Sequence, residues 1–141
     1  MSTTNFYNAD VEFKLQEKKK LKKWIETVLR TELKTFEQID YVFCSDNYLL
    51  KINRAYLKHD YYTDIITFDL SESKKIKAEI YISIERVRDN AIKHQQLYKN
   101  ELLRVLVHGV LHLCGYSDKS KTEGQLMRSK EDEYILLYYK T

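Results

Sequence analysis

The sequence predicts an α+β fold: a small sheet, four strands in all, packed by about five helices. Three observations predict it. Residues 75–84, KIKAEIYISI, alternate without a break, with Ile76, Ala78, Ile80, Ile82 and Ile84 on one face and Lys77, Glu79, Tyr81 and Ser83 on the other. Elsewhere, long stretches repeat apolar residues at helical spacing. The 141 residues include no Pro and only three Gly, so no linker divides them, and one domain over 1–141 is expected.

In chain order, NFYN near the N-terminus reads as an added edge strand. Residues 15–33 form a helix pattern through Leu15, Leu21, Trp24, Ile25, Val28 and Leu29, with Lys and Glu between them. QIDYVFC (38–44) reads as a strand, and Ser45 with Asp46 offers an N-cap for a helix over 46–57. TDIITFDL (63–70) is rich in β-branched and aromatic residues and pairs with 75–84 across the charged turn SESKK. Helices follow over about 84–97, 99–113 and 121–139. The last opens with Ser120 and Glu123 at capping-box spacing and assigns Leu126, Met127, Tyr134, Leu137 and Tyr138 to the core.

Composition narrows the function. Hydrophobic residues make up 43% and charged residues 32%, a folded rather than a disordered mix. No apolar run approaches the ~20 residues of a membrane span, so no membrane partner is expected. MSTTNFYNADVEF lacks a basic segment followed by an apolar one, and the cytoplasm is the expected compartment. Cys44 and Cys114 form neither a disulfide framework nor a CxxC pair and are expected as buried thiols. A net charge of +3 is compatible with RNA without requiring it, and EKKKLKK (17–23) reads as a solvated helix face. Of the twelve Tyr, some could stack on bases, while those at helix or strand spacing are expected in or near the core.

The chemistry concentrates in HGVLHLCGYSD, residues 108–118. On a helix, residues four apart lie about 40° apart around the axis and ~6 Å apart along it, so His108 and His112 project as neighbours. Two imidazoles so placed can hold one divalent ion, and neutral imidazole suits zinc and its neighbours. The alternative is a pair of core histidines bonded to carbonyls. Gly109, inside the helix, suggests the close approach of another backbone. Gly115 stands where a left-handed C-terminal cap belongs; such a cap turns Ser117–Asp118 back toward the histidines and makes Asp118 the natural third ligand. Three protein ligands leave a position open for water activated at neutral pH. Cys114, two residues from His112, falls on nearly the opposite helix face. The protease motif HExxH needs Glu where Gly109 stands, which argues against that chemistry; Glu79 or Glu101 could in principle substitute, but no spacing places them there.

HGVLHLCGYSD, with Met127 and Glu131 in MRSKE downstream, resembles the signature of the YbeY family, whose pattern runs His-Gly-x-Leu-His-Leu-x-Gly-Tyr-Asp-His. It matches at His108, Gly109, Leu111, His112, Leu113, Gly115 and Tyr116. Upstream, INRAYLKHDYYTDIITF is similar to a second family segment through Asn53, Tyr56, Asp60, Thr63, Asp64 and Phe68, and AEIYIS to its Gly-Asp-Ile strand, with Ala78 and Glu79 as variants. The resemblance covers about residues 36–135. It implies a zincin-like α+β domain with the His pair beside a mixed sheet. It also implies a metal-dependent, single-strand-specific endoribonuclease acting in rRNA maturation at the small-subunit 3′ end, with Zn2+ as cofactor and rRNA and the small ribosomal subunit as partners. Asp118 stands where the family keeps a third histidine. Leu57 stands where the family carries an Arg linked to RNA processing, with Arg54, Lys58 and His59 nearby as other sources of positive charge or as plain solvated surface.

Overall fold

A computed structural model describes residues 2–141. The elements are β1 (Thr3–Asn8), α1 (Lys18–Thr31), β2 (Phe36–Cys44), α2 (Asp46–Tyr56), β3 (Ile65–Asp69), β4 (Ile76–Ser83), α3 (Ile84–Lys93), α4 (Tyr98–Leu113) and α5 (Lys121–Lys140). The sheet order is β1-β2-β4-β3. β1 and β4 run parallel to β2, and β3 runs antiparallel to β4, with Ile65 opposite Ile82 and Asp69 opposite Ala78. The mixed four-stranded sheet and five helices match the expected class.

The alternation in β4 sets the layers. Ile76, Ala78, Ile80 and Ile82 are buried in the main core together with the apolar stripes of α1, α4 and α5. On the other face a smaller cluster of Cys44, Leu49 and Ile66 seats α2. α4 is the central helix: Leu103, Leu106, Val107, Val110 and Leu111 are all essentially inaccessible to solvent. Gly109 lets it lie close to the sheet. A Cβ at that position would meet Ile65 Cδ1 at 3.0 Å and Ile80 Cδ1 at 3.1 Å. The close approach is thus to side chains of β3 and β4, not to another backbone.

Several boundaries differ from the sequence pattern, each for a local reason. Residues 15–17 precede α1, with Leu15 packing against the core from the connecting segment. α3 stops at Lys93 rather than 97 because Gln95 adopts φ 54 and the N–H of Gln96 closes back onto Ala91 O at 2.8 Å. Leu33 ends α1 the same way, with φ 60 and Lys34 N–H on Leu29 O. β3 begins at Ile65, two residues later than the run suggests. In α5 the expected core residue Leu126 is 51% exposed, and Glu131, a carboxylate, is buried in the apolar stripe. Cys44 is buried as expected; Cys114 is only half-buried, and both thiols are free. The Ser45 and Ser120 caps form, the latter with its full capping box. Among the described residues, no helix is long and apolar enough to cross a membrane.

Candidate metal centre

The C-terminal end of α4 builds the site. Gly115, at φ 107, closes a Schellman turn: its own N–H donates to His112 O and that of Tyr116 to Leu111 O, each at 3.0 Å. The chain reverses there and returns Asp118 over the two histidines. Asp118 Oδ2 lies 3.4 Å from His108 Nε2 and 3.6 Å from His112 Nε2, and the two Nε2 atoms are 2.9 Å apart. The three residues chosen from the sequence therefore converge, with one donor atom from each inside a common sphere.

The other ring nitrogens fix the tautomers. His112 Nδ1 lies 2.9 Å from Tyr116 O, a carbonyl that can only accept, so Nδ1 carries the proton. His108 Nδ1 lies 2.6 Å from Glu131 Oε2 and donates to that carboxylate. Glu131 is 4% exposed and also accepts from Arg104 Nη1 at 2.8 Å, while Arg104 Nη2 reaches Asp132 at 2.6 Å. With both rings neutral, the two Nε2 atoms are lone-pair acceptors turned toward each other and toward a carboxylate oxygen. Three acceptors packed this way repel unless a positive charge, a metal ion or a proton on His108 Nε2, lies among them. Tetrahedral ligands at ~2.0–2.1 Å from an ion sit roughly 3.3 Å from one another, close to the Asp118 separations. The donor set, two neutral imidazoles and a carboxylate with outer hydrogen-bond partners on both rings, fits a divalent ion of the zinc class.

The electrostatics follow from burial. Desolvation alone would lower the His108 imidazole below its ordinary 6.5. The Glu131 hydrogen bond and charge, with Asp118 and Asp64, override this and leave it raised. The Asp64 carboxyl is also raised, chiefly by burial, with His108 pulling against it. Burial lifts the Cys114 thiol to about 11; it neighbours Glu32 rather than the histidines, in keeping with its place on the far side of the helix.

Two clefts meet at this point. One, of about 330 Å³, runs between α3, α4 and α5 past Glu101, Arg104 and Glu131. The other, of about 800 Å³, runs along the outer side of β3 and under the α2–β3 loop, past Leu57, His59, Tyr61 and Lys119. His108, Asp64 and Asp118 belong to both. Glu101 shares the smaller cleft, but it lies two helical turns before His108, roughly 10 Å along the axis. Glu79 is elsewhere: it takes the Tyr81 hydroxyl at 3.2 Å in a separate hollow against α2. Of Arg54, Lys58 and His59, only His59 lines the larger cleft; Arg54 is paired with Asp60. Helical spacing alone gives Glu131 and Arg104 no role. The available signal was a lone acid in the α5 stripe Met127–Glu131–Tyr134–Tyr138, the kind of buried charge that requires a partner.

Residues 5–138 match the sequence model of a family described as Endoribonuclease YbeY. The protein of that name from Flavobacterium psychrophilum is 48% identical over 133 residues, 94% of this chain and 95% of the relative. That from Cytophaga hutchinsonii is 48% identical over 136 residues, covering 96% and 95%. The solution structure of TM1509 from Thermotoga maritima superposes with a TM-score of 0.67 at 24% identity, over 97% of this chain and 89% of that one, and bears on the fold alone. With nearly the whole length matched, the chain belongs to the endoribonuclease YbeY family.

Proposed function

We propose that the chain is a metal-dependent endoribonuclease acting on single-stranded RNA, with His108, His112 and Asp118 as the ligands of one ion, zinc by donor chemistry. The observation that carries this reading is the convergence of three acceptor atoms, two with tautomers locked from behind, at the junction of two clefts. When bound, such an ion polarises a phosphoryl oxygen and supplies a nucleophile at neutral pH. The protein contributes the rest. Glu131 and the Tyr116 carbonyl hold both imidazoles with Nε2 free, Arg104 keeps Glu131 in place, and Asp64, the carboxyl that lines both clefts besides the ligand Asp118, is the group assigned to take or return a proton. The larger cleft gives an extended strand a path across the ligands.

The finer reading follows the family: rRNA as substrate, maturation of the small-subunit 3′ end as the reaction, the small ribosomal subunit as partner, the cytoplasm as the site of action, and one domain spanning 1–141. A second reading, a ribosome-assembly factor whose metal is structural, is favoured by one observation. Leu57, 41% exposed, lines the larger cleft at the position where the family resemblance places an Arg. Cleavage of a small-subunit rRNA precursor by wild type and by His108→Ala decides between them. Cleavage lost in the variant supports the enzyme. A wild type that associates with the subunit and cuts nothing supports the assembly factor.

A further inference from the structure

The end of α2 and the segment joining it to β3 expose a cluster of aromatic side chains. Tyr56, Tyr61 and Tyr62 are 72%, 55% and 51% exposed, and Leu57 lies beside them. The backbone beneath is firmly held. Asn53, 1% exposed, accepts from the N–H groups of Leu57 and His59, both at 3.1 Å, and its Nδ2 donates to Tyr61 O at 2.9 Å. Arg54 pairs with Asp60 across the same loop. The His59 and Tyr61 rings stack at 5.2 Å and 19°, and the Tyr61 hydroxyl meets His59 Nδ1 at 2.9 Å. The Asn53 carbonyl and its buried side-chain amide together thus hold the loop while the tyrosine rings stay largely exposed, an arrangement that folding itself does not call for.

Leu57, His59 and Tyr61 line the same cleft that ends on His108, His112 and Asp118, with Lys119 also on its wall. We propose that the stacked His59–Tyr61 pair, flanked by Leu57, is a nucleobase subsite: one unpaired base of the RNA stacks there, placing the adjoining backbone at the metal ligands. This rests on the endoribonuclease reading above. Every base offers a π-face, so the subsite tolerates sequence, yet it requires a base free of pairing, and single-strand preference follows. Lys119 supplies a charge for a neighbouring phosphate. Stacking on a rigid loop here takes the positioning role that a guanidinium fork would otherwise fill at position 57.

The test uses metal-loaded full-length protein and a short oligoribonucleotide carrying 2-aminopurine, its fluorescence read on rapid mixing before turnover. Tyr61→Ala removes the ring but leaves the Tyr61 carbonyl that Asn53 holds; metal content and thermal melting confirm that the fold is intact. The expected result is quenching of 2-aminopurine by wild type and by Tyr61→Phe. In Tyr61→Ala the quenching is lost and affinity falls about fivefold or more, with the matching loss in KM rather than kcat on a cleavable strand. Wild-type quenching and affinity in Tyr61→Ala overturn the subsite while leaving the activity in place. So does a loss in Tyr61→Phe equal to that in Tyr61→Ala, or an apolar peptide binding the patch where RNA gives no quenching. Quenching by a wild type that never cuts RNA supports the subsite and removes the endoribonuclease reading.

Discussion

His108 Nδ1 and the Glu131 carboxylate lie 2.6 Å apart, joining α4 to α5 at a buried point directly behind the three converging ligand atoms. The bond turns His108 Nε2 toward Asp118 and links the metal centre to packing of the helices. Replacing Glu131 by Gln keeps the shape but removes the charge shared by His108 and Arg104. The expected outcome is a zinc affinity lower by about 10- to 100-fold with an unchanged circular dichroism spectrum. Competition with a chromophoric chelator measures it, and undiminished affinity would show that Glu131 is only a packing residue.

The same bond sets a pH dependence. The folded His108 pKa lies above the ordinary 6.5. Its contribution to the metal-free protein is therefore complete below about pH 6.5 and is lost as pH rises through the raised value. Chelator-treated wild type should lose unfolding free energy across that window, and His108→Gln should lack this component. Metal affinity should move the opposite way, since the ligand nitrogen must shed its proton. Urea melts and metal titrations between about pH 5.5 and 8.5 test both slopes.

Glu32 separates stability from metal binding. Its carboxylate takes the Tyr116 hydroxyl at 2.7 Å, the Tyr134 hydroxyl, and Lys130 Nζ at 3.4 Å, tying the end of α1 to the turn after α4 and to α5. Glu32→Ala strands these partners and should destabilise the fold by about 1–3 kcal/mol. His112 leans on the Tyr116 backbone carbonyl rather than its hydroxyl, so metal affinity should change little. A large loss of affinity at full stability would reverse this assignment.

Gly109 brings α4 close against the sheet. Ala there gains about 1 kcal/mol of helix propensity and must displace the ends of Ile65 and Ile80, so its net effect should be small. Val adds further bulk against the same two side chains and should destabilise by about 1–3 kcal/mol. Urea midpoints for the two variants check the order; equal stability of Val and Gly would mean the contact is not limiting.

Much of this structure is legible in the residues themselves. β4 announces itself through four alternating apolar positions, and Ser45, Ser120 and Gly115 mark their helix ends by recognised chemistry. The two histidines and Asp118 follow from helical spacing and one glycine turn. What stays hidden depends on contacts distant in sequence. Leu33 and Gln95 end α1 and α3 in left-handed conformations that their side chains do not advertise. Leu126 falls outside the stripe that α5 buries, and Glu131 sits inside it because that acid has His108 and Arg104 to satisfy it, a pairing across 23 and 27 residues. Glu79 reads as a candidate base only until the sheet turns it toward α2.

The most direct test measures metal content and RNA cleavage on the same samples. Wild type, His108→Ala and Asp118→Ala are each loaded with zinc, dialysed, quantified, and assayed on a single-stranded oligoribonucleotide before and after chelation. The expected result is about one ion per chain in wild type, its loss in both variants, and cleavage that disappears and returns with the ion. A wild type that holds no zinc after loading, or that cuts RNA undiminished once stripped, would contradict the assignment of His108, His112 and Asp118 as the metal ligands of an endoribonuclease.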